Sequence, residues 1–276
     1  MNPVEVLQFI GIPLGIGSAI VILSWWLLPS KRFQPLGMIV AVGISSVVAF
    51  ILQEGVPTLP PTQRWHWLVF TVTAVSLLAC IYPCFKKSNN LIVLQALIAG
   101  LVAGLILQFP SQQEWYMRCL VFVMVLFAGT GLRRVTIPAW HMYLVSWAVL
   151  AGLSILALQS SFAKLAFYAG AMSAVAASMC VLQLLRPRET KSVQIIYGTA
   201  IVGCTLCGFA YDQGDTAQRS AWFLPMASIP LSAICYVVFA NKKYRAVVSL
   251  AVVNACVIAA IVWSIFAAPA TDEMWP

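Results

Sequence analysis

Ten apolar stretches of roughly twenty residues, separated by short breaks rich in turn formers, constrain this chain more than any other feature. They cover residues 6–28, 35–53, 66–85, 91–109, 116–132, 138–158, 162–185, 193–211, 220–240 and 246–268. A helix needs about 20 mostly apolar residues to cross a hydrocarbon core about 30 Å thick. Strands of a membrane barrel would be shorter and would alternate in polarity. In lipid a helix also satisfies its backbone N–H and C=O groups within its own segment. The sequence therefore predicts an all-α integral membrane protein, a bundle of about ten transmembrane helices with short loops. The fifth stretch is the weakest, being short and carrying Arg118 near its start.

Composition closes off the soluble alternative. Only 9% of the residues are charged and 62% are hydrophobic, whereas soluble domains carry about 25% charged residues. The breaks are too short to hold a further domain. They include Pro29-Ser30, Pro57 through Pro61, Ser88-Asn89-Asn90 and Asp212 through Asp215. A single polytopic domain spanning 1–276 is expected.

The basic residues orient the bundle. With the connections numbered one to nine, the odd ones hold twelve: Lys31, Arg32, Lys86, Lys87, Arg133, Arg134, Arg186, Arg188, Lys191, Lys242, Lys243 and Arg245. The even ones and their helix edges hold four, Arg64, Arg118, Lys164 and Arg219. Cytoplasmic loops of membrane proteins are enriched in Lys and Arg. The odd loops are therefore expected in the cytoplasm and both termini outside (N-out/C-out). The net charge of +8 follows from these small groups, so no nucleic-acid partner is expected. The start, Met1-Asn2-Pro3-Val4-Glu5, has no basic residue before the first apolar run. It reads as a retained first helix rather than a cleavable signal. With no targeting motif, a bacterial inner membrane is the default expectation. Tryptophans agree: Trp25, Trp26 and Trp140 fall near inner ends, and Trp65, Trp67, Trp115, Trp222 and Trp263 near outer ends. Such rings favour the headgroup region.

A helical-hairpin repeat is hinted at. Gln53, Gln108, Gln159 and Gln213 stand at outer helix ends about fifty residues apart, and Phe50-Ile51-Leu52-Gln53 resembles Leu105-Ile106-Leu107-Gln108. Any run of short-looped hairpins gives a similar spacing, and that is the simpler reading. A true repeat would matter because transporters place sites at repeat interfaces.

The apolar segments hold almost no ionisable groups. Glu5, Glu54, Glu114, Asp212 and Asp215 lie at edges, so a proton relay through the bilayer centre has no obvious members. His66 and His141 fall at opposite edges, too far apart to share one metal or haem. No metal, cofactor or catalytic residues are expected. Cys204 and Cys207 form a CxxC within one helix, and Cys80 and Cys84 lie four apart. Lacking a charged neighbour to lower a thiol pKa, both pairs read as packing. Gly100 and Gly104, with the small residues from Ala169 to Ala177, read as close helix contacts.

The solute-binding candidates are Asn254, Gln95, Pro225, Pro230 and Pro13. Asn254 and Gln95 are amides deep in apolar segments, where they either bond a neighbouring helix or offer an uncharged site. The prolines remove backbone hydrogen bonds, and a carbonyl freed at membrane depth is tolerated where protein or a cavity covers it. Nothing resembles a P-loop, a dinucleotide fingerprint, a zincin helix or a nucleophile elbow.

The expected function is a transporter or permease for a small neutral or weakly polar solute. The alternatives are a non-catalytic subunit or assembly factor of a membrane complex, and a lipid-modifying membrane enzyme whose basic loops hold lipid phosphates. Expected partners are the lipid bilayer, a small-molecule solute, and a membrane protein or a second copy of the chain.

Overall fold

The computed structural model describes residues 3–28, 33–56, 61, 63, 65–81, 89–106, 115–130, 137–187, 191–240 and 242–267. Every regular element among them is a helix. In chain order these are α1 (Pro3–Leu27), α2 (Gln34–Glu54), α3 (His66–Ile81), α4 (Asn89–Ile106), α5 (Trp115–Thr130), α6 (Ala139–Gln159), α7 (Ala163–Leu185), α8 (Lys191–Tyr211), α9 (Thr216–Ser220), α10 (Phe223–Val238) and α11 (Arg245–Phe266). Seven are long and apolar enough to cross a membrane, with α9 and α10 together counting as one. The chain is thus a helical bundle with the character of a membrane protein. Of the basic odd-loop residues, Lys31, Arg32, Lys86, Lys87, Arg133, Arg134 and Arg188 lie outside the described residues, as do Cys84 and Gln108.

The described part of each apolar stretch falls on a helix, and the ninth begins at the last residue of α9 and continues through α10. Chemistry explains the break. Pro225 stands in the first turn of α10 and has no N–H to give the carbonyl four residues back. The Leu224 amide bonds the Ala221 carbonyl at 3.2 Å instead, tightening the chain there. Pro225 is therefore a helix-start proline, whereas Pro230 and Pro13 are interior to α10 and α1.

The bundle is built around α8. Of its span, 83% is buried, against 22% for α1 and for α11. It packs against α3, α4, α5 and α6, while α1 pairs with α2 and α7, and α10 with α11. α1 and α11 are thus edge elements. Their outward side chains, such as Leu7, Trp26, Ile258 and Phe266, are exposed, as lipid contacts should be. Because lipid is as apolar as leucine, close packing and interhelical hydrogen bonds hold such helices together.

Small residues set the closest approaches. A Cβ added to Gly100 would lie 3.0 Å from the Phe122 carbonyl oxygen, and one on Gly104 3.0 Å from that of Arg118. The GxxxG of α4 is therefore a backbone contact with α5. The small residues of α7 face inward, with Ala169, Ala171 and Ala176 fully buried. Hydroxyls tie the remaining pairs. Ser45 donates to the Pro13 carbonyl at 2.9 Å, Ser154 to Ala166 at 2.7 Å and Ser173 to Trp147 at 3.0 Å.

Candidate functional site

At one end of the bundle, helix termini gather into a polar rim. α2 ends at Glu54, α3 begins at His66, and Lys164 sits in the first turn of α7. The Lys164 ammonium lies 2.5 Å from one Glu54 oxygen, and His66 Nε2 lies 3.9 Å from the other. Aromatic rings floor this cluster. Trp65 is fully buried between Phe50, at 5.3 Å between centroids, and Phe162, at 6.1 Å. Its indole N–H donates to Gln63 Oε1 at 2.8 Å.

Phe162 also stacks against Tyr211, at 5.2 Å. Between the α6–α7 and α8–α9 connections opens a cleft of about 430 Å³. Gln159, Ser160, Ser161, Tyr211, Asp212 and Gln218 are among the residues lining it. Ser161 adopts a left-handed backbone, at φ 58°, which turns the α6–α7 connection tightly. The other wall is pinned by carboxylates. Asp212 accepts from the Gly214 amide at 2.9 Å on one oxygen and from the Trp222 indole at 2.8 Å on the other. Asp215 caps α9 by accepting from the Gln218 amide at 2.8 Å. Arg219 lies over the Phe209 ring, 4.4 Å from its centroid, and donates to the Phe209 carbonyl at 2.9 Å. The Trp263 indole donates to the Ala217 carbonyl at 2.8 Å, tying α11 to this wall.

Beneath the rim the interior is polar without being charged. Ser46 and Tyr168 share a buried 2.6 Å hydrogen bond between α2 and α7, with Cys204 and Cys207 of α8 nearby. Both cysteines are buried free thiols. Ser192 of α8 donates to Gln95 Oε1 of α4 at 3.1 Å. Four buried polar atoms on three mutually packed helices have no partner among the described residues: Thr73 Oγ1 on α3, Gln95 Nε2 on α4, and Tyr197 OH and Thr205 Oγ1 on α8. Buried polar atoms are ordinarily satisfied, so each of these open atoms marks a point where a solute or water can bond.

A third polar group joins α6, α10 and α11. Ser249 donates to the Ser232 carbonyl at 3.0 Å, and His141 Nε2 lies 3.0 Å from the Ser249 hydroxyl oxygen. With the Ser249 proton committed to that carbonyl, the imidazole carries its own proton on Nε2. His141 Nδ1 is left as a buried open acceptor.

The residues singled out in the sequence do not converge. Gln95 is buried beside α8. Asn254 is exposed on the outward face of α11. Pro13 is buried, with its carbonyl taken by Ser45. Pro225 is buried, and Pro230 is exposed. Sequence reasoning missed Thr73, Tyr197 and Thr205, because a lone hydroxyl barely disturbs an apolar pattern. It did place Glu54, His66 and Lys164 on one side, and the structure joins them. Among the described residues, no cluster of three or more His, Cys, Asp or Glu could hold a metal. No protein-family model, no curated protein and no solved structure matches the chain.

Proposed function

We propose that this chain is a ten-span transporter or permease for a small neutral or weakly polar solute, with both termini on the non-cytoplasmic side of a bacterial inner membrane. The observation that carries the reading is the set of open, uncharged polar atoms on α3, α4 and α8. A neutral solute entering lipid loses hydrogen bonds to water, at a cost of several kcal/mol per group when nothing replaces them. Thr73 stands seven residues after the start of α3 and Thr205 six before the end of α8, whereas Gln95 and Tyr197 each stand six after the start of their own helix, which supports two depths. The eight residues from Tyr197 to Thr205 span about 12 Å. Two such rungs, with the rim cleft above them, suit stepwise exchange of partners. Among the described residues none of the four rung groups is an Asp, Glu, His, Lys or Arg, which fits an uncharged cargo.

Helix shape supports a moving part. The ninth span parts between α9 and α10, just ahead of Pro225, and α10 carries Pro230 in its interior and packs against α8; such discontinuous helices are what transporters bend. Asn254 lies away from these rungs, so Gln95 is the amide assigned to the path. The charge count, twelve basic residues in odd loops against four in even ones, supports the ten-span orientation.

The reading is tested by native mass spectrometry of the chain released from its own membrane in mild detergent. A retained small neutral molecule is expected. Its flux into vesicles containing the chain should fall at least tenfold in Tyr197→Phe and Thr205→Val. A chain that carries no solute but a stoichiometric unrelated protein would overturn the transporter and favour the subunit. For the orientation, a C-terminal reporter active only in the cytoplasm should stay silent. An active reporter would sink the ten-span arrangement.

A further inference from the structure

The outward face of α11 carries a feature that lipid alone does not accommodate. Asn254 is exposed there, and no hydrogen bond joins its side chain to another described residue. It stands nine residues from Arg245 and twelve from Phe266, about 14 Å and 18 Å from the helix ends. In a hydrocarbon core about 30 Å thick, that is close to the midplane. A side chain as short as asparagine cannot reach the headgroups from there. The inward face shows how this helix treats its other polar groups. Ser249 and Ser264 are both buried, and Ser249 bonds both His141 and the Ser232 carbonyl. α1, the other edge helix, has an exposed Gln8, but five residues from its first residue Pro3, where a longer side chain meets the interface.

We propose that this face of α11 is the contact between two copies of the chain, closed by a reciprocal Asn254–Asn254 amide pair. Two copies inserted with the same orientation bring Asn254 to the same depth without further design. A carboxamide offers both a donor and an acceptor, so a two-fold pair satisfies each side chain with the other. An unrelated partner would need its own polar group at that depth, and a solute would lie open to lipid. The surface around Asn254 permits the approach. Ala251 stands one turn before Asn254 on its face, the exposed Val247 and Ile258 extend that face, and the exposed Ala255 and Ala259 lie beside it round the helix. Small side chains let two membrane helices come close enough for interhelical hydrogen bonds. The buried face lies opposite, so the contact costs the protomer none of its own packing.

The test is self-association of the full chain in phosphatidylcholine vesicles, followed by single-molecule photobleaching as the protein is diluted in lipid. The wild-type chain should pass from two-step to one-step bleaching with dilution. Asn254→Leu should raise the dissociation constant about tenfold or more, since two interhelical amide bonds are lost. Asn254→Gln, which keeps the amide, should retain most of the dimer. Ala255→Leu should weaken it by bulk alone. Because both positions are exposed, the protomer's unfolding temperature should not move in any of the three. A wild-type chain that is monomeric at the highest density would overturn the proposal. So would an Asn254→Leu chain that associates as tightly as wild type.

Discussion

Replacing Gly208 with alanine should damage the rim more than a single methyl ordinarily does. A Cβ built on Gly208 overlaps the ring of Trp222, which is buried to 1% exposure. The indole must therefore move, or α8 must. Overfilling a packed site costs about 1–3 kcal/mol. The same ring holds Asp212 through its 2.8 Å N–H bond. Asp212 is itself 8% exposed, so losing that donor adds about 1.5–3 kcal/mol. The two together set the loss at about 2.5–6 kcal/mol. Reversible unfolding in mild detergent, followed by tryptophan emission, measures it. A cycle with Trp222→Leu separates the cause. The leucine chain leaves a void beside Gly208, so adding Gly208→Ala to it should cost at least about 1 kcal/mol less than adding it to wild type. A Gly208→Ala chain within about 0.5 kcal/mol of wild type would refute the reasoning, as would equal costs in both backgrounds.

Ser46→Ala should cost about 1–3 kcal/mol of unfolding free energy by leaving the buried Tyr168 hydroxyl unpaired, and adding Tyr168→Phe should recover part of it. Gly100→Val should destabilise by about 1–3 kcal/mol by forcing α4 from α5, read from the same unfolding curves. Lys164→Gln should change stability by less than about 1 kcal/mol, because the lysine is half exposed, and the change should fade at high salt.

The helices were legible because their signal is summed over twenty residues. One proline or arginine cannot hide an apolar run of that length, so the described part of each stretch falls on a helix. The details that escaped depend on single atoms. The ninth stretch reads as unbroken in hydropathy, yet it parts at Ala221 because Pro225 has no amide proton and Trp222 turns toward Gly208. Asn254 and Gln95 look alike in sequence, both amides within apolar runs. Only the packing order separates them, since α4 lies against the central helix and α11 at the edge. The rim was half legible. Charge alternation put Glu54, His66 and Lys164 on one side, but which helix ends adjoin is a property of the bundle. Thr73, Tyr197 and Thr205 were invisible, because threonine and tyrosine occur throughout membrane helices as ordinary packing residues.

The central helix is also a late one. Gln95 waits for Ser192, 97 residues further along the chain. At about 5–20 residues per second of synthesis, roughly 5–20 s pass before its partner is made. During that time the first seven helices surround a place that their own residues do not fill. The nascent chain must be sheltered by the insertion machinery, or by transient pairing with itself, until α8 enters. A product terminated before Ser192 would leave the Gln95 side-chain oxygen open as well, and membrane quality control would have a mark by which to recognise it.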